Sequence, residues 1–200
     1  MLSLYRDLKS FKPKHSSGSF DKASLIVVSS LCAQCTNSQD VKTHLYNASK
    51  LLSLLVHSRA SENCLSLSLL YKIYESSNLQ GDLVADEFGH IFFKDLLSLV
   101  PFKTSLIPNK RIRRQKQLAA LSNASTDAQN VKCAEMIVRG SRIFCEEGKL
   151  TSLINVELSE NLEALKNASP VLKAQLEAVA SSDRTIINIM NFSARRRTSN

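Results

Sequence analysis

The chain has 200 residues, of which 44% are apolar and 22% are charged. These fractions match average globular proteins and the length matches one domain, so wholesale disorder, collagen and a disulfide-stapled mini-protein are excluded. A mean hydropathy of -0.10, without an uninterrupted apolar run of about 18 residues, also excludes an ordinary membrane-spanning helix.

The net charge of +8 is concentrated in three short segments. Residues 1–22 hold five basic and two acidic residues, residues 103–117 hold six basic residues and no acidic one, and residues 195–197 are three arginines. Residues 143–183 are acidic instead, with seven acidic and three basic residues. This asymmetry predicts that one end of the molecule docks onto an anionic surface.

The cysteines and the N-terminal residues indicate an intracellular protein of the cytoplasm or the nucleus. Five irregularly spaced cysteines predict reduced thiols, because an odd number cannot all pair. Arg6, Asp7 and Lys9 occupy positions where a secretory signal needs an apolar stretch. The basic, amphipathic start also fits a mitochondrial presequence, but its acidic residue favours a docked first helix.

Only five glycines and four prolines interrupt the chain, and apolar residues recur at helical spacing almost throughout. We therefore predict an all-α protein: an antiparallel helical bundle or short helical-hairpin stack, with a C-terminal group of short leucine-rich helices. Four helical patterns are expected over 19–100, the last continuous from about Gly81 to Pro101. Two alternatives stay open: a buried strand at the β-branched residues 25–28, and a β-hairpin over 142–158.

Composition divides the chain into five regions. These are an N-terminal helix and linker at 1–18, a helical core at 19–100, a basic hinge with a short helix at 101–125, a C-terminal helical region at 126–192, and a basic tail at 193–200 that we expect to be disordered. Residues 126–129 have the form of a capping box, which predicts a long helix over about 126–147.

The strongest functional signal is a basic run that follows Pro108. Its cations are Lys110, Arg111, Arg113, Arg114 and Lys116. At a helix start we expect them to face solvent, with Ile112, Leu118 and Leu121 facing inward. Such a row neutralises phosphates and releases counterions, which predicts sequence-independent binding of RNA or DNA. The alternatives are a nuclear import signal, an acidic protein partner, an anionic membrane and a plain solvated helix face.

In the C-terminal third, apolar residues recur in steps of four and three. We name six of them the leucine seam: Leu158, Leu162, Leu165, Leu172, Leu176 and Val179. The pattern continues to Met190, and breaks at Ser169-Pro170 and at Asp183 divide it into short helices. A heptad seam of this kind packs on the body of its own protein or binds a helix of a partner.

Motifs for catalysis or metal binding are weak. Cys32 and Cys35 form the only Cys-x-x-Cys pair, and a zinc site would need further ligands. The possible additional ligands are His44, His57 and Cys64. Glu87 and His90 have the Glu-x-x-His spacing of di-iron bundles, which need two such motifs. Because phosphate-binding glycine loops and the Gly-x-Ser-x-Gly elbow are also absent, we expect no enzyme, metal or cofactor.

These features predict a non-catalytic helical module that assembles into a larger intracellular complex. In this interpretation the leucine seam binds a protein partner and the basic run contacts an anionic partner. The alternative is a protein whose primary role is to bind RNA or DNA through phosphate contacts, with the helical body as a scaffold.

Overall fold

A computed structural model describes residues 2–13, 17–34, 38–76, 81–102 and 105–181. Within these ranges the chain forms ten α-helices and no strand, which confirms the all-α prediction. The helices are α1 (Leu2–Lys9), α2 (Ser19–Gln34), α3 (Ser38–His57), α4 (Glu62–Ser76), α5 (Gly81–Phe88), α6 (His90–Leu99), α7 (Lys110–Ser122), α8 (Thr126–Glu147), α9 (Ser152–Ala164) and α10 (Pro170–Ala180). None of these described helices combines the length and the apolar character needed to cross a lipid bilayer.

Helices α4 and α8 form the centre of the bundle. α4 packs against α2, α3, α6 and α8, while α8 packs against α3, α4, α6, α7, α9 and α10. The shared hydrophobic core extends from Leu8 in α1 to Val179 in α10. Burying one leucine side chain contributes about 1.5–3 kcal/mol relative to leaving it exposed, so this core couples helices that are distant in sequence.

Side-chain caps determine where the helices near the candidate sites begin. Ser125 Oγ accepts a hydrogen bond from the backbone N–H of Ala128 (3.2 Å) at the start of α8. Glu62 of α4 accepts the backbone N–H groups of Ser17 (2.5 Å) and Phe20 (3.0 Å), and so caps α2 from another helix. A cap contributes about 1 kcal/mol, and the Glu62 cap also joins α2 to α4.

One prediction about helix boundaries is wrong. The helix expected from Gly81 to Pro101 is two helices, because Gly89 separates α5 from α6. Its φ of 88° is positive, a backbone conformation that other residues rarely adopt. Glycine therefore ends one helix and starts the next without interrupting the apolar spacing.

Both strand alternatives are excluded, since residues 25–28 lie in α2 and residues 142–158 are divided between α8 and α9. Within the expected hairpin, Gly148 instead ends α8 in the left-handed conformation with φ of 71°. Its N–H donates to the carbonyl oxygen of Phe144 at 2.8 Å, as in a common helix C-cap.

Two buried amide side chains of α8 hold the turn between α9 and α10. Gln129 Oε1 accepts the backbone N–H of Asn167 at 2.8 Å, and Asn130 Oδ1 accepts that of Ser169 at 2.7 Å. Pro170 follows as the first residue of α10. The break in the leucine seam is therefore encoded by the Ser-Pro pair and secured by α8.

Candidate functional site

The basic run begins at the first residue of α7. Asn109 caps this helix: its side-chain oxygen accepts the backbone N–H groups of Arg111 (3.0 Å) and Ile112 (3.2 Å). The positive end of the helix dipole lies at this terminus, where further cations are unfavourable and an anion is favourable. The basic run therefore lies at the helix terminus whose backbone N–H groups already attract anions.

Two of the five cations make contacts within the molecule. The Arg113 guanidinium donates to the carbonyl oxygens of Ile107 (2.7 Å) and Pro108 (3.4 Å), which holds the preceding segment against α7. Arg114 donates to the carboxylate of Glu160, an ion pair that joins α7 to α9. These two arginines position the helix.

The other three cations, Lys110, Arg111 and Lys116, are exposed. The side chains of these three residues form no hydrogen bond and no ion pair with a residue that the structure describes. We name these three residues the cationic patch. Their charges remain available to a partner, because no acidic side chain among the described residues neutralises them at contact distance.

The predicted inward face of α7 is correct at Leu121, which is buried, and wrong at Ile112, which is 46% exposed. The inward stripe is formed by Arg114, Gln117 and Leu121, and the Gln117 side-chain amide donates to the carbonyl oxygen of Ser98 at 2.6 Å. Ile112 is two residues before Arg114, which is about 200° away around a helix, so it faces solvent.

The leucine seam is part of the core. Five of its residues, Leu158, Leu165, Leu172, Leu176 and Val179, are no more than 1% exposed, and Leu162 is partly buried. α9 and α10 pack against α8 and against each other, which covers this face. The interpretation as a partner surface is therefore corrected for the five buried residues, because side chains buried in the core are not accessible to a second helix. Leu162 packs against the same core. Asp183, Ile186 and Met190 lie outside the described residues.

The Glu-x-x-His pair is divided between two helices. Gly89 separates Glu87 in α5 from His90 in α6, and Glu87 instead pairs with Lys22 of α2 at 3.1 Å. The side chains of Cys32 and His44 and all of Cys35 lie outside what the structure describes. Among the described residues, no three His, Cys, Asp or Glu side chains are grouped to hold a metal ion.

The buried thiols of Cys64 and Cys133 are poor nucleophiles. Burial raises the pKa of Cys64, and the nearby charge of Asp127 raises it further. Burial also raises the pKa of Cys133 to about 12. Both thiols therefore stay protonated at neutral pH, whereas a nucleophilic or metal-binding cysteine acts as the thiolate. His57, the remaining zinc candidate, is exposed and bonds through Nδ1 to the carbonyl oxygen of Ser53 at 3.1 Å.

A cleft of about 370 Å³ lies beside α6, where α2, α4, α5 and α8 also contribute residues. Its apolar lining is Leu67, Phe88, Ile91 and Phe92, and its charged lining is Lys22, Glu87, Asp95 and Asp127. The rings of Phe88 and Phe92 are stacked with their centroids 4.8 Å apart. We name this feature the aromatic cleft. The sequence does not reveal it, because its lining comes from separate segments and only the spacing of Phe88 and Phe92 is a local signal.

Two surfaces are thus candidates for function: the cationic patch on α7 and the aromatic cleft beside α6. They differ in chemistry, since the patch is purely cationic and the cleft carries three carboxylates and one ammonium group. Comparison with known protein families, with curated proteins and with solved structures finds no match to this chain.

Proposed function

We propose that this chain is a non-catalytic helical binding module of a larger intracellular complex, and that its cationic patch contacts the phosphates of RNA or DNA. The observation that carries this proposal is the division of the basic run. Arg113 and Arg114 hold α7 in place, while the side chains of Lys110, Arg111 and Lys116 stay exposed without a partner among the described residues. A rigid helix start that presents three free cations is suited to phosphate groups.

The state of the cysteines supports the intracellular part of the proposal. Cys64 and Cys133 are buried free thiols. Free thiols persist in the reducing cytoplasm and nucleus, whereas secreted proteins pair theirs.

Phosphate binding by the cationic patch would depend steeply on salt. Each neutralised phosphate contributes about 0.9 to the slope of log affinity against log salt concentration on duplex DNA. Three contacts therefore predict a loss of about 40-fold in affinity between about 50 and about 200 mM salt. Contacts to the phosphates alone carry no base sequence, so RNA or DNA of different sequences should bind with similar affinity.

The test is a fluorescence-anisotropy titration of the full chain against a labelled RNA of about 30 nucleotides and a DNA of the same sequence, at both salt concentrations. The triple variant Lys110→Gln, Arg111→Gln and Lys116→Gln should lose at least about tenfold in affinity at the lower salt and show a flatter salt dependence.

The matched control is Lys94→Gln, Lys149→Gln and Lys166→Gln, which removes the same charge from exposed lysines outside the patch. It should reduce affinity much less than the patch variant. Equal losses in the two triple variants would show that overall charge and not the patch attracts nucleic acid. No binding by the unmodified chain at the lower salt would overturn the proposal.

A second candidate partner for the same surface is an acidic protein, which the apolar side chains beside the patch favour. Leu106 is 75% exposed and Ile112 is 46% exposed. Apolar burial stabilises protein interfaces and adds little to phosphate contacts, so Leu106→Ser with Ile112→Ser should leave RNA affinity within about twofold. A labelled peptide of alternating glutamate and leucine represents an acidic protein partner. Its affinity, measured in the same way, should fall about tenfold in the Leu106→Ser, Ile112→Ser variant.

A further inference from the structure

The aromatic cleft combines an apolar wall with negative charge. Ile91 is 82% exposed at its edge, although its neighbours Phe88 and Phe92 are partly buried against the core. Exposed aliphatic and aromatic side chains that line one concave surface favour an apolar ligand group. The cleft is thus shaped for a ligand that brings apolar side chains with it.

The charged side chains of the cleft are mostly acidic and therefore favour a ligand with positive charge. Asp95 and Asp127 contribute two carboxylates with no ion pair among the described residues, and Glu87 shares its charge with Lys22. Burial and the charge of Asp95 raise the pKa of Asp127, although a hydrogen bond from Ser61 lowers it. The two aspartates therefore repel each other, and a cation between them would relieve this repulsion.

The chain itself contains a segment with the complementary composition. Residues 182–200 hold four arginines and one aspartate. Five large apolar residues precede the final arginines: Ile186, Ile187, Ile189, Met190 and Phe192. Apolar residues followed by Arg195–Arg197 match the apolar and acidic walls of the cleft, because arginine stacks on aromatic rings and bonds to carboxylates.

We propose that the aromatic cleft binds the chain's own C-terminal segment, residues 182–200, with arginine side chains at its carboxylates and apolar side chains against Phe88, Ile91 and Phe92. This proposal is independent of nucleic-acid binding, since it uses no residue of the cationic patch. It gives the molecule an internal docking site whose ligand is a basic, apolar peptide.

The length of the segment is sufficient for this contact. A Cβ placed on Gly140 would lie 2.6 Å from Val179 Cγ1, so the end of α10 lies beside the second half of α8. Asp127 is 13 residues before Gly140 in α8, a distance of about 20 Å along the helix axis. The 14 residues from Ser181 to Arg195 span up to about 46 Å when extended, which allows a path around the bundle to the cleft.

The experiment uses a labelled synthetic peptide of residues 182–200 and two full-length chains, the unmodified chain and the variant Arg195→Gln, Arg196→Gln and Arg197→Gln. An attached segment competes at an effective concentration of about 1 mM. For a peptide Kd of about 100 μM, the unmodified chain should therefore bind added peptide about tenfold more weakly than the variant. Fluorescence anisotropy at low salt, without nucleic acid, measures both affinities.

A cleft variant then locates the binding site. Glu87→Gln with Asp95→Asn, introduced into the tail variant, should weaken peptide binding at least tenfold. Asp95→Asn keeps the side-chain oxygen that accepts the backbone N–H of Ser125 at 3.1 Å, so α8 retains this contact. The matched control is Glu163→Gln with Glu177→Gln, which removes two exposed acids elsewhere and should leave the affinity unchanged.

Three results would overturn the proposal. The first is no peptide binding by the tail variant, and the second is equal binding with and without the cleft substitutions. The third is equal binding by the unmodified chain and the tail variant, which would show that the chain's own segment does not occupy the cleft. Sedimentation velocity adds a further check: a dimer that dissociates when the three arginines are replaced would assign the cleft to the segment of a second copy.

Discussion

Glu135 of α8 is a nearly buried acid that lies between two basic side chains. Its carboxylate lies 2.9 Å from Lys132 Nζ and 3.7 Å from Lys72 Nζ, and its side chain is only 13% exposed. Burial acts to raise the pKa of Glu135, but the charges of Lys132, Lys72 and Arg139 outweigh it and hold the pKa below its usual value of 4.5. The folded state thus favours the ionised carboxylate more than the unfolded state does.

The lowered pKa of Glu135 makes the free energy of unfolding depend on pH. The contribution of Glu135 is present above the unfolded pKa and is lost as the pH falls through the lower folded pKa. Glu135→Gln should reduce the free energy of unfolding by about 1–3 kcal/mol at neutral pH, because the lysines lose a charged acceptor. The difference from the unmodified chain should shrink as the pH is lowered to about 3.

Urea denaturation at a series of pH values measures this effect. The control Glu163→Gln changes an exposed acid with no ion pair to a described residue, so its unfolding free energy should follow that of the unmodified chain. A Glu135→Gln variant that loses the same stability at acid and neutral pH would contradict the assigned role, since the loss would then not come from the carboxylate charge.

At the scale of elements, α9 and α10 illustrate how far hydrophobic periodicity can be interpreted. The four-three spacing correctly identifies one continuous apolar face, and Ser169-Pro170 correctly marks its break. Periodicity does not identify what covers that face. Here α8 covers it, since Gln129 and Asn130 hold the turn and Gly140 lets Val179 approach.

Burial of the leucine seam makes a quantitative prediction. Leu176→Ala should lower the free energy of unfolding by about 2–5 kcal/mol, because it removes a fully buried side chain and leaves a cavity. Leu153→Ala on α9 is the matched control, since Leu153 is 66% exposed, and it should change stability by less than about 0.5 kcal/mol. Chemical denaturation measures both. If Leu176→Ala leaves stability unchanged and alters only an oligomeric state, the seam is a partner surface after all.

The basic run shows a second limit of sequence reasoning. Five cations after a proline identify a charged helix start, and Asn109 provides the cap that fixes it. Which cations stay free depends on groups elsewhere: the backbone oxygen of Ile107 for Arg113, and Glu160 for Arg114. Glu160 is 46 residues from Arg114 in the chain, so composition alone cannot distinguish an anchoring arginine from an available one.

The division of the expected helix over 81–101 into α5 and α6 was also not predictable from apolar spacing. Apolar residues continue across Gly89 because α5 and α6 both face the same core. A glycine within a helical pattern is tolerated at about 1 kcal/mol, so its presence alone does not require a break. The aromatic cleft is lined by the two helices on either side of this break and by α2, α4 and α8. Because these segments are separate in the sequence, no local pattern predicts the cleft.

At the scale of the whole molecule, the helices share one core although composition divides the chain into several regions. The buried cluster includes residues from α1 to α10, and α4 and α8 contact most of the other described helices. A core that is shared in this way links the loss of one helix to the exposure of its neighbours. The described part of the chain should therefore unfold as a single cooperative unit.

Two spectroscopic probes test this cooperativity. Circular dichroism follows the helices, and tyrosine fluorescence follows the packing around the four tyrosines, of which Tyr71 is buried, with no tryptophan present to mask it. The two urea transitions should have the same midpoint and the same steepness. Separate transitions would show that part of the bundle, for example α9 with α10, unfolds independently of the rest.

The position of α8 late in the sequence affects how the chain folds during synthesis. α2, α3 and α4 leave the ribosome before α8, so the faces of α3 and α4 that pack on α8 lack their partner until residue 147 has been made. The 71 residues from Ser76 to Glu147 take roughly 4–14 s at typical translation rates of about 5–20 residues per second. During that interval the N-terminal helices expose the apolar surfaces that chaperones bind. Stretches of slow codons within α5 to α8 would lengthen this exposure, whereas faster translation there would shorten it.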